Sequence, residues 1–86
     1  MATFAIFRND GASPDSPKQL LCVCASRDLA VREVKERAEK HSAGTTALKK
    51  EMFQEHDLRH RLQVTQASHG KTYVWFAAEE IEFVAE

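Results

Sequence analysis

The spacing of apolar and polar residues changes several times along the 86-residue chain, and each change marks an element. Ala2 to Arg8 has a strand's composition, with Phe4, Ile6 and Phe7 apolar. Asn9 to Pro17 then gathers Asn, Asp, Gly, Ser and both prolines of the chain in one window, which predicts a loop between two strands. Leu20 to Ala25 reads Leu-Leu-Cys-Val-Cys-Ala, apolar at odd and even positions alike, the pattern of an interior strand buried on both faces. Ser26 precedes a helical pattern with Asp28 in its first turn, where a hydroxyl and a negative charge satisfy the free amides. The helix is predicted to run to about Ser42, with Ala30, Val31, Val34 and Ala38 as a narrow stripe of small residues. Arg32/Glu36, Glu33/Arg37, Lys35/Glu39 and Glu36/Lys40 stand at ion-pairing spacing on its other side.

Gly44 is placed to end this helix as a left-handed cap, and Thr45 or Thr46 to cap a second, shorter helix through Leu48, Met52 and Phe53. From Leu58 the period falls to two, with His60, Leu62 and Val64 on one side and Arg59, Arg61, Gln63 and Thr65 on the other. Ser68-His69-Gly70-Lys71 is the turn into a strand from Thr72 to Ala78. A loop of two or four residues there sets Val64 opposite Trp75 and Leu62 opposite Ala77. Val74 and Phe76 then share a face with Arg61, Gln63 and Thr65. Ile81, Phe83 and Ala85 alternate with Glu80, Glu82 and Val84 as a short last strand, whose charges fit a sheet edge. The predicted order is β-β-α-α-β-β-β in a single domain over residues 1–86. Its class is α+β, two-layer, a mainly antiparallel sheet of four to five strands with the helices packed on one face. Segments 20–25 and 73–78 are apolar on both sides, so the second sheet face needs a cover: a second subunit, a curl of the sheet, or a partner.

Composition, 43% hydrophobic and 29% charged, is that of one small globular domain. At this size folding removes only about 60–65% of the unfolded surface from water, so a second subunit matters to stability. The net charge of −1 recruits neither a polyanion nor an anionic membrane. Its distribution is uneven: Lys49, Lys50, Arg59, Arg61 and Lys71 outnumber Glu51, Glu55 and Asp57, whereas 73–86 carries Glu79, Glu80, Glu82 and Glu86 alone. No run approaches the ~18–20 apolar residues of a membrane span, and Met1 to Arg8 has no signal-like pattern. The chain is therefore expected in the cytoplasm, away from membranes. Cys22 and Cys24 lie two apart on one strand, a spacing that does not close a disulfide without bending the backbone; reduced, packed thiols are expected.

The chemistry of the chain is sparse. Gly11, Gly44 and Gly70 are its only glycines and spell no phosphate-binding loop. His56 and His60 stand at helical spacing for a metal, but His-Asp-Leu-Arg-His lacks the glutamate of a zinc-protease motif, and no third ligand is fixed by spacing. Glu79, Glu80 and Glu82 read as a solvated acidic edge rather than an acid and base pair. No catalytic residue, metal ligand or cofactor is expected, and the chain is not expected to be an enzyme.

What remains is a surface. Arg59, Arg61, Gln63, Val74, Phe76 and Lys71 offer the arginine, aromatic and aliphatic anchors that bury well at interfaces. They point to a small protein-binding domain that self-associates, as a homodimer, and takes a protein partner. The alternative is single-stranded nucleic-acid binding, which needs the same mixture of cations and stacking groups on a sheet. The opening Thr3-Phe4-Ala5-Ile6-Phe7 through Val31-Arg32-Glu33-Val34-Lys35 is similar to the strand-loop-strand-helix start of ubiquitin-like β-grasp domains, without their terminal di-glycine. In style the chain also resembles small accessory or inhibitor proteins of phages and mobile elements, which implies action by occluding a partner.

Overall fold

A computed structural model describes residues 3–11, 17–67 and 70–81. Strands β1 (Thr3–Asp10) and β2 (Lys18–Cys24) are followed by helix α1 (Arg27–Ala43), then by strands β3 (Lys49–His56), β4 (Arg59–Gln66) and β5 (Gly70–Ile81). All five strands form one antiparallel sheet in the order β2-β1-β5-β4-β3, with α1 on one face. The architecture is the expected two-layer α+β fold.

The helix forms where its sequence signals lie. Ser26 Oγ accepts a hydrogen bond from Leu29 N at 3.2 Å, and Ala30, Val34 and Ala38 are fully buried. Small side chains let α1 approach the sheet closely, over Phe4 and Ile6 of β1, Val74, Phe76 and Ala78 of β5, Leu62 and Val64 of β4, and Cys24 of β2. Of the expected ion pairs Glu33–Arg37 is formed, at 3.4 Å. Gly44 caps the helix in a right-handed conformation rather than the expected left-handed one, with its N–H on Lys40 O. Lys50 Nζ adds a charge-assisted bond to Ser42 O at 2.7 Å.

The expected second helix is a strand. Residues 49–56 carry Met52 and Phe53 side by side, which a short helix would leave on one flank. A strand sends them to opposite faces, Met52 opposite Leu62 on the helix side and Phe53 opposite Arg61 on the other. An isolated helix of this length is marginal, whereas the ladder to β4 pairs its backbone.

The register of the last hairpin also departs from expectation. Gln66 pairs with Gly70, leaving three residues in the loop, an odd number that moves every side chain of β5 to the opposite face. Leu62 opposes Val74 and His60 opposes Phe76 beneath α1, while Arg61 opposes Trp75 and Gln63 opposes Tyr73 on the open face. Gly70, at φ +69°, supplies the left-handed residue that closes a three-residue loop.

Two edge assignments are reversed. Leu20 to Cys24 belongs to β2, an edge strand rather than an interior one. Its doubly apolar pattern does not reflect burial on both faces: a bulge, with Ile6 paired to Cys22 and Phe7 to Leu20 and Leu21 as the extra residue, puts Leu20 with Val23 on the open face, where both stay exposed. Glu79 to Ile81 continue β5, the middle strand, instead of starting an edge strand; Phe83 and Ala85 lie outside the described residues.

No atom lies within 4 Å of a Cβ built on Gly70, so replacing it tests backbone conformation alone. Gly70→Ala is expected to lower unfolding free energy by about 1–2 kcal/mol, and Gly70→Asn by clearly less. Urea unfolding of the three proteins checks this; equal stability would mean that the loop does not need its left-handed residue.

Candidate functional site

Among the described residues no helix lies over the face away from α1, and the sheet closes it with its own side chains. Arg61 is the centre. Its guanidinium carbon lies 4.6 Å from the centroid of the Phe53 ring and 5.5 Å from those of Tyr73 and Trp75. Cross-strand pairing places these rings: Phe53 and Trp75 flank Arg61 directly, and Tyr73 is one diagonal away. Each cation–aromatic contact contributes about 0.5–2 kcal/mol, more where water is excluded. A bulge at Glu55, between the Gln54–His60 and His56–Arg59 pairs, turns its carboxylate toward Arg61 Nε at 3.3 Å and Arg59 at 3.9 Å. Trp75 is only 7% exposed although it faces away from the helix, and its indole N–H donates to Gly11 O at 3.3 Å.

The other half of this face is held differently. Lys18 stands 4.8 Å above the Phe7 ring and pairs with Glu79. The depression among Phe7, Asn9, Lys18, Arg59, Trp75, Ala77 and Glu79 holds only about 40 Å³, little more than one water. A small-molecule pocket is therefore not built here. Toward the edge, Leu20 and Val23 oppose Phe7 and Ala5 and stay 55% and 54% exposed. No described strand pairs with the outer side of β2. The opposite edge, β3, is lined by Lys49, Lys50, Glu51, Glu55 and His56, charges that discourage strand addition.

The residues predicted as one surface are thus divided. Arg59, Arg61, Gln63 and Lys71 do share the open face, but Val74 and Phe76 are buried beneath α1, because the three-residue loop shifts their register. The aromatic partners of Arg61 are Trp75, Tyr73 and Phe53. Leu20 and Val23 were read as interior residues, and the signal that they form an exposed edge is absent from local sequence, since strand order is a property of the whole fold.

The histidines do not meet. His56 opposes Arg59 and His60 opposes Gln54, one position further, so the two imidazoles belong to opposite faces. His56 Nδ1 accepts the Leu58 N–H at 3.2 Å in the β3–β4 turn. Among the described residues no group of three or more His, Cys, Asp or Glu stands close enough to hold a metal ion. Cys22 and Cys24 are free thiols on the helix side, and burial, then the neighbouring Cys22, pushes the Cys24 thiol up, away from a reactive thiolate. Glu79 is engaged by Lys18, Glu80 is exposed, and Glu82 lies outside the described residues.

No family model matches the chain, and no characterised protein or solved structure is significantly similar to it. No helix among the described residues is long and apolar enough to cross a membrane.

His60 is 5% exposed, and burial holds its pKa below the ordinary 6.5; Lys35 acts in the same direction, Glu39 and Asp57 against it. A lowered native pKa means that the folded state binds fewer protons than the unfolded one at mildly acid pH. Stability is then full above the ordinary histidine range and falls as pH drops through it toward the lowered value. His41 has the same sign. The urea midpoint is expected to fall between about pH 7.5 and about pH 5.5, less steeply in His60→Gln. An unchanged slope in the variant would remove His60 as the cause.

Trp75 is the chain's only tryptophan, so its fluorescence reports the cover that Arg61 provides. Arg61→Ala is expected to raise acrylamide quenching of that emission and to lower stability by about 1–2 kcal/mol. Quenching equal to that of the parent would show that the guanidinium does not shield the ring.

Proposed function

We propose that the chain is a small, non-enzymatic protein-binding domain that self-associates through the outer edge of β2, with Leu20 and Val23 as its apolar anchors. The observation that carries this reading is an apolar strand at a sheet edge, with both anchors more than half exposed and no described strand on its outer side. Such an edge presents free backbone donors and acceptors, and strand addition satisfies them while burying the flanking side chains. Lys18 is the one charged residue of β2 and already pairs with Glu79, so an antiparallel β2–β2 contact brings no like charges face to face. A strand of an unrelated protein fits the same edge, which accords with a protein that acts by occluding its partner. The two free thiols suit a reducing compartment, and the cytoplasm is the location we assign.

Nucleic-acid binding is the second reading. Arg59, Arg61, Gln63 and Lys71 do lie on one sheet face with three aromatic rings, as a single-strand platform requires. Those rings are occupied by Arg61, however, and Glu55 holds both arginines. Bases would have to displace a formed cation–aromatic cluster, so protein binding is favoured.

Native mass and sedimentation velocity test the choice. The parent is expected to be a dimer at micromolar concentration, and Leu20→Lys with Val23→Lys a monomer with unchanged far-UV circular dichroism. A parent that stays monomeric, or a double variant that stays dimeric, would overturn the assignment of the β2 edge. Binding of a single-stranded oligonucleotide that weakens steeply with salt and is lost in Arg59→Gln would replace this function with the second reading.

A further inference from the structure

The helix side of the sheet carries a cleft of about 250 Å³ where the C-terminal half of α1 passes over β1 and β2. Its walls are Arg8, Arg37, Lys40 and His41, its floor Leu21 and Phe76, and none of these lining residues is acidic. The arrangement follows from local structure. Arg37, Lys40 and His41 stand at positions i, i+3 and i+4 of α1 and so share one helix face. Arg8 opposes Phe76 on the helix side of the sheet, and Leu21 is the bulged residue of β2. The His41 ring leans on Phe76 with centroids 5.7 Å apart.

The three cations and His41 differ in how far they are already satisfied. Arg8 is closed by Asp10, in two bonds of 2.8 and 3.0 Å. Arg37 Nε lies 3.4 Å from Glu33 Oε1, yet it is buried and donates no hydrogen bond. Lys40 forms no ion pair with any described residue. His41 is held below its ordinary pKa by burial and then by Arg8, with Asp10 opposing, and an arriving anion would raise it.

We propose that this cleft binds a small organic phosphate, its phosphoryl oxygens taken by Arg37, Lys40 and His41 and its apolar part resting on Leu21 and the edge of Phe76. A tetrahedral phosphate presents three terminal oxygens to three separate donors, whereas a planar carboxylate is best met by one guanidinium fork, and the Arg8 fork is already filled by Asp10. The apolar floor beneath the cations selects an esterified phosphate over the free ion. Leu20 and Val23 face the other side of the sheet, so the cleft and the apolar anchors of self-association lie on opposite faces.

Phenyl phosphate, benzoate and inorganic phosphate at constant ionic strength are the probes, read by the histidine ring signals in NMR. Phenyl phosphate is expected to shift the His41 signals saturably and to raise the apparent pKa of His41 while leaving that of His60 in place. Arg37→Gln and Lys40→Gln are each expected to weaken binding about tenfold. Lys71→Gln, on the open face, should leave it unchanged. Absence of a saturable shift with phenyl phosphate, or undiminished binding in Lys40→Gln, would overturn the site. Equally tight benzoate would overturn the preference for phosphate, and equally tight inorganic phosphate the apolar subsite.

Discussion

One helix cannot cover both faces of a five-stranded sheet, and the rest of this structure is arranged around that shortage. Ala30, Val34 and Ala38 bring α1 close enough to bury one face over β1, β5 and β4. The opposite face is closed by long cationic side chains laid over aromatic rings, Arg61 over Phe53, Tyr73 and Trp75 and Lys18 over Phe7. The domain thus has two covers of different chemistry: an apolar one that excludes water, and a layer whose charged heads remain partly wet while their stems and planes shield the rings beneath.

The same shortage explains why the edges differ. Beyond the reach of the cation–aromatic layer, β2 keeps Leu20 and Val23 in solvent, while β3 at the far side is lined with charges. A sheet with one guarded and one apolar edge has a direction in which it can grow. That asymmetry, rather than a pocket or a cluster of reactive groups, is the most informative feature of the surface, and our functional reading rests on it.

Much of the fold was legible in the sequence, but the parts that place the surface were not. The Ser26 cap, the small-residue stripe and the alternation from Arg59 to Thr65 each depend on neighbours a few residues away, and each appears as read except that Val31 of the stripe is only half-buried. The pairing of β4 with β5 turned on whether a loop held an odd or an even number of residues, and one residue decided whether Phe76 or Trp75 faced the helix. Leu20 to Cys24 looked interior because its residues are apolar on both sides, and only the strand order shows that it is an edge. Residues 49–56 were misread because Met52 and Phe53 fit a helix flank as well as two faces of a strand; the choice is made by β4, not by the segment. Arg61 stood out in the sequence as a candidate anchor, yet the rings around it could be named only after the register was known.

The strand order has a consequence for how the molecule comes into being. The middle of the sheet is the pairing of β1 with β5, in which Ile6 meets Ala78 and Phe7 meets Ala77. During synthesis β1, β2 and α1 emerge early and the β3–β4 hairpin later, but no backbone ladder joins the two hairpins until β5 arrives between them. Chain growth therefore supplies the middle strand of this sheet last, and completing the ladder depends on contacts distant in sequence.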